Sequence, residues 1–105
     1  MKYIDLEQHP NQSFSFPIEG YVYTIHIYTR GDHLYMDVTD GDEPISMGNI
    51  CLNRTYVLQH NTKFYGNFTF LDFLGSDEPQ WWGLNNRFFL VYFTPEDIAD
   101  IEKGL

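Results

Sequence analysis

Apolar and polar residues alternate along most of this chain with a period of two, and turn residues interrupt the alternation at short intervals. No other feature constrains the fold as much. Successive side chains of a strand point to opposite faces, so the pattern describes sheets with one buried face. Phe14, Phe16 and Ile18 alternate with Ser13, Ser15 and Pro17, and the proline places that strand at an edge or near its end. Gly20 marks a turn, after which YVYTIHIYT (21–29) continues the alternation. With Gly31 and Asp32 as the central residues of a type II′ hairpin, Ile27 falls opposite Met36, Ile25 opposite Val38 and Thr29 opposite Leu34. The other face then pairs Tyr28 with Tyr35 and His26 with Asp37. A slip of one residue would mix the faces, so burial selects this register.

Further along, TDGDEP (39–44) supplies turn chemistry, and ISMGNICL (45–52) reads as a shorter, weaker strand. TYVL (55–58) is expected to form another, followed by a loop from Gln59 to Thr62. FYGNFTFLDFLG (64–75) is strand-like, with Gly66 as a candidate bulge. RFFLVYF (87–93) is continuously apolar, as in a central strand covered on both sides. The helical signal comes at the end. Thr94 can cap, Pro95 suits the first helical position, and Glu96 and Asp97 favour the positive N-terminus. Ile98 and Ile101 share a side, and Gly104 can end the helix. The expectation is an all-β fold, a small antiparallel β-barrel or β-sandwich, in a single domain over residues 1–93. A short C-terminal helix over residues 94–105 packs on the same domain. DEPISMG (42–48) and DEPQWWG (77–83) echo each other, which two independent turns built from the same favoured residues explain without duplication.

Charge narrows the partners. Fifteen acidic side chains against 6 Lys plus Arg give −9 at pH 7. Proteins that grip nucleic acid cluster their Lys and Arg; this chain has no such cluster, so direct nucleic-acid binding and an anionic membrane surface are disfavoured. Its single cysteine, Cys51, cannot form an internal disulfide and fits a reducing compartment. The start, MKYIDLEQHP, lacks the basic flank and apolar stretch of a signal peptide, and no apolar run approaches a membrane span. Synthesis in the cytoplasm as a soluble chain is expected.

Motifs that carry chemistry fare poorly. Arg30-Gly31-Asp32 spells an integrin-binding tripeptide, but here it supplies the glycine of a hairpin turn. Asp37, Asp40, Asp42 and Glu43 gather four carboxylates, yet the spacing departs from a calcium loop, and a solvated turn explains them. Asp72, Asp77 and Glu78 could serve a hydrolase only at a suitable separation in space. His9, His26, His33 and His60 lack the close company of a zinc site, and Cys51 has no neighbour to lower its pKa. Phosphate-binding and nucleophile-elbow motifs are missing from the sequence. Asn11, Asn53 and Asn67 head glycosylation sequons, which mean little without export. The reading is not an enzyme, with no catalytic residue, cofactor or metal.

That leaves the aromatics, 18% of the chain. Trp81 and Trp82 are the least core-like, because neighbours in an extended segment point opposite ways: one packs inward, the other is exposed or at an interface. Trp81, Trp82, Tyr28 and Tyr35 are therefore the candidate protein-interface residues, with Asp77 and Glu78 on the rim. The rival reading is a carbohydrate-binding module that uses the same aromatic faces for stacking.

The order of several short pieces adds to this. YIDL (3–6), PNQSF (10–14) and EGY (19–21) are followed by LYMDV (34–38), GSDEP (75–79), GL (83–84) and RFFLVY (87–92). In that order and spacing the chain resembles the baseplate plug proteins of contractile-tailed phages and prophages. The C-terminal helix and the double tryptophan have no counterpart in that pattern. The resemblance implies an all-β structural protein at the baseplate hub, helping to close the tail channel. It implies the hub or other tail proteins as partners, and leaves homo-oligomerisation open. It implies residence in the virion tail after assembly, and no active site.

Overall fold

The computed structural model describes residues 1–58 and 64–104; the loop expected from Gln59 to Thr62, with His60, lies outside the described residues. Two antiparallel sheets face each other across one core, and no strand ladder joins them among the described residues. The architecture is thus a β-sandwich, not a barrel. One sheet holds, in spatial order, β2 (Asn11–Ile18), β3 (Tyr21–Arg30), β4 (His33–Asp40) and β5 (Glu43–Cys51). The other holds β1 (Lys2–Ile4), β7 (Phe88–Phe93) and β6 (Asn67–Asp72), with β7 in the centre.

The four-stranded sheet is a meander whose turns are short enough to fix the register. Glu19 and Gly20 both take positive φ, as a type I′ turn requires, whereas Gly31 and Gly41 each take positive φ at the first position of a type II′ turn. The β3–β4 pairing follows: Ile25 opposite Val38, Ile27 opposite Met36, Thr29 opposite Leu34, Tyr28 opposite Tyr35 and His26 opposite Asp37. Pro17 and Pro44 sit in the two outer strands, β2 and β5, where a missing N–H costs no ladder bond.

Three sequence expectations need correcting. β5 is neither short nor weak: it runs nine residues, Glu43–Cys51, because the tight turn at Gly41 returns the chain at once. It absorbs an irregularity in its pairing with β4. There Gly48, at φ 66°, donates its N–H to the Asp37 carboxylate at 2.7 Å. TYVL is not a strand. Arg54 stands at positive φ and breaks the extended run, leaving isolated bridges at Asn53 and Tyr56 to β6. The Asn67 side-chain amide then takes the place of a strand partner. Its Oδ1 accepts from the Leu58 N–H at 2.9 Å and its Nδ2 donates to the Leu58 carbonyl at 3.2 Å. Gly66 is not a bulge within a ladder either; it precedes β6, at a φ of 109° and pressed against the Phe93 carbonyl.

The core lies between the sheets. Ile25, Ile27, Leu34, Met36 and Val38 meet Phe68, Phe70, Phe88 and Leu90 there, all essentially inaccessible. Phe16 spans the layers, with its ring centroid 5.6 Å from Phe68 and 5.0 Å from Tyr92. After β7 the chain enters α1 (Pro95–Glu102) as expected. The Thr94 side chain accepts from the Asp97 N–H at 3.1 Å and Asp97 accepts from the Thr94 N–H, a complete capping box.

Candidate functional site

The structure separates the two tryptophans. They do not lie in an extended segment but in a single 3-10 turn, Trp81–Gly83, where neighbouring side chains diverge by about a third of a revolution. Trp81 packs against the core; Trp82 is 53% exposed and rests edge-on against Phe88, 5.9 Å between centroids. Gly83 permits this, because a Cβ there would stand 2.7 Å from the Phe88 ring. The turn is anchored to the rest of the protein by Gln80, whose Nε2 donates to the Asp32 carbonyl at 2.8 Å. It thereby docks on the tip of the β3–β4 hairpin.

The two rim carboxylates have structural partners. Asp77 is exposed and lies 3.3 Å from the Arg87 guanidinium. Glu78 is half-buried and its Oε2 accepts from the Asn53 N–H at 2.8 Å. Between them Asp72 organises the segment that leads into the tryptophans. It pairs with Arg87 through two hydrogen bonds and accepts the N–H groups of Leu74 and Asp77, each at 2.9 Å. The Arg87 hydrogen bond, aided by those N–H groups, holds the Asp72 carboxyl well below the usual carboxylate range. A carboxyl so firmly ionised is a poor general acid. Cys51 is equally unsuited to nucleophilic work, since burial pushes its thiol up.

On the outer face of the four-stranded sheet, Tyr28 and Tyr35 stack with centroids 5.9 Å apart, and His26 lies 4.8 Å from Tyr28 on the other side. Asp37 ties the row together, accepting from the Tyr28 hydroxyl at 3.1 Å and from Gly48. Burial, then the Asp37 carboxylate, raises the Tyr28 pKa. His26 is a cross-strand neighbour of Asp37, but its Nε2 bonds Asn11 Oδ1 at 2.6 Å, with Asp37 4.0 Å away. Among the described residues no ring pairing links Trp82 to the Tyr28–Tyr35 stack. The predicted residues thus form two neighbouring patches, not one.

Sequence reasoning missed a third surface. On the outer face of the three-stranded sheet, Tyr3 packs edge-on against Phe73 and Phe89, which stack at 4.8 Å. The face continues over Val91 to Phe93, against which Tyr56 packs at 6.1 Å. β7 is therefore central, and its outer side is buried at Val91 and Phe93 but open at one end, where Phe89 is half-buried with Tyr3 51% and Phe73 54% exposed beside it. The period-two positions Thr69, Leu71 and Phe73 carried the signal, because none of them is charged.

Fold and surfaces together define a small two-sheet β-sandwich that presents aromatic side chains from several faces. Comparison with known families gives the particular one. Residues 1–96 match the family described as cyanophage baseplate Pam3 plug gp18, and the chain belongs to that family. No curated protein sequence matches the chain.

Proposed function

We propose that this chain is a structural component of a contractile phage or prophage tail baseplate, seated at the hub as a plug and acting through protein–protein contacts. The observation that carries this reading is the family match over nearly the whole sandwich. Trp82 supports it as the contact residue of choice, being large, exposed and held on a braced turn, the kind of side chain that anchors interfaces. The Tyr28–Tyr35 stack supplies a second aromatic patch, Asp77 a charged rim, and Trp81 and Glu78 the packing and hydrogen bond beneath. The remaining partners are the hub or other tail proteins, and the chain resides in the virion tail after assembly. The acidic balance of −9 favours a basic partner surface.

The test is mass spectrometry of purified tail particles combined with immunogold labelling of this chain. Label at the baseplate end is expected. Complete particles that lack the chain would refute the assignment, and a glycan array would then examine sugar stacking on the same aromatics.

A further inference from the structure

We infer that the outer face of the three-stranded sheet, where it runs beneath α1, is a docking groove for an extended segment of a partner protein that carries apolar side chains alternating with basic ones. This goes beyond the baseplate assignment and does not depend on it.

The contrast between the two sheets is the first ground. The outer side of the four-stranded sheet mixes Asn11, Ser13, Ser15, Thr24 and Asp37 with Val22, Tyr28, Tyr35 and Ile50. The outer side of the three-stranded sheet carries Asn67 and Thr69 but no charged side chain on β6 or β7, and it is the more aromatic of the two, through Tyr3, Phe73, Phe89 and Phe93. Tyr3, Leu71 and Phe89 on this face lie outside the core between the sheets, and Tyr3 and Phe73 are more than half exposed there.

Shape is the second ground. Tyr56, Thr69, Leu71, Phe93 and Ile101 enclose a hollow of about 370 Å³, with Arg54 on its margin. A second hollow of about 180 Å³ lies across Ile101, between Met1, Phe93, Asp97 and Asp100. Phe93 and Ile101 border both, so two consecutive apolar side chains of an extended segment could seat on either side of Ile101.

Charge selects the occupant. α1 carries Glu96, Asp97, Asp100 and Glu102. Asp97 is engaged by the terminal ammonium of Met1, whereas Asp100 and Glu102 have no ion-pair partner among the described residues. Asp100 itself lines the second hollow, so its charge sits at the groove. A second copy of the chain would bring the same acidic margin and another −9 of net charge. An anionic membrane meets the same repulsion. A basic protein segment meets none.

The experiment is a titration of the isotope-labelled full chain, followed by amide NMR, with a short peptide alternating leucine and lysine. Two control peptides replace leucine by serine or lysine by glutamate. The leucine–lysine peptide is expected to shift the amides of Thr69, Leu71, Phe93 and Ile101, and each control to bind at least ~10-fold more weakly. Ile101→Ala and Asp100→Lys, both at exposed helix positions, should each weaken binding while leaving the rest of the spectrum in place. Equal binding by the serine–lysine peptide would reduce the effect to non-specific charge attraction and overturn the inference. So would shifts confined to other surfaces, or shifts of these same amides with protein concentration alone, which would indicate a second copy. Particle labelling reads the baseplate assignment independently, so failure of either leaves the other standing.

Discussion

Replacing Gly83 with alanine tests how Trp82 is held. The φ of Gly83 lies outside the left-handed region, so the backbone admits alanine and sterics decide the sign. An ideal Cβ would stand 2.7 and 2.8 Å from two carbons of the Phe88 ring and 3.0 Å from Arg87 Cγ. Carbons in ordinary contact sit ~3.5–4.0 Å apart, so the overlap is on the order of 1 Å. Phe88 is 1% exposed and its ring cannot swing into solvent. Overpacking of this kind costs about 1–3 kcal/mol, against a gain of about 0.4–1 kcal/mol from the stiffer unfolded chain. The net expectation is a loss on the order of 1–2 kcal/mol, or a Tm lower by roughly 5–15 °C for a domain of this size. Thermal and urea unfolding would measure it. Phe88→Leu, which shrinks the ring that the new methyl meets, should recover part of the loss in the double variant. A Gly83→Ala protein as stable as the parent, or a double variant whose losses simply add, would refute the packing of the turn on Phe88. The placement of Trp82 would fall with it.

Two further outcomes follow from ionisation and burial. The folded-state pKa of Asp72 is depressed by Arg87, and that of Asp97 by the terminal ammonium, so both stabilise the fold above the unfolded carboxylate value of about 4 and lose that contribution as pH falls below it. Unfolding measured from neutral pH downward should show stability declining through that acid range, with a visibly flatter decline in Asp72→Asn; an unchanged slope would contradict the ion pair. Cys51 is fully buried with its thiol pKa raised, so a thiol reagent should label it only at the rate of unfolding. Immediate labelling of the native protein would show the site to be open.

What the sequence disclosed and what it withheld divide along a physical line. The β3–β4 register was legible because two local constraints agree: a glycine where a tight turn needs positive φ, and an alternation that tolerates no slip. The helix cap was legible for the same reason, all its parts lying within four consecutive residues. TYVL was misread because its fate is decided by the distant Asn67 amide and by the adjoining Arg54 at positive φ, neither of which alters the apolar pattern. The sequence marked Trp81 and Trp82 as a pair, but the 3-10 turn decides which is exposed, and that turn depends on how closely Gly83 can approach Phe88.

RFFLVYF bears most on function: it holds the central strand the sequence pointed to, Phe88–Phe93, buried on both sides except at Phe89. A continuous apolar run reports that both sides of a strand prefer to be covered; it does not say what covers them. On the inner side the cover is the opposing sheet, through Phe16 and the β3 and β4 isoleucine, leucine, methionine and valine residues. On the outer side Val91 and Phe93 are buried, and the cover is partial only at Phe89, beside Tyr3 and Phe73. Stability of the isolated chain does not require more, because the core between the sheets is closed without it. The outer residues of β7, with Leu71 of β6, are apolar all the same, beside a helix whose Asp100 and Glu102 lack cationic partners among the described residues. For a member of a baseplate family, we propose that a neighbouring protein finishes the layer where Phe89, Leu71 and Ile101 are left partly open.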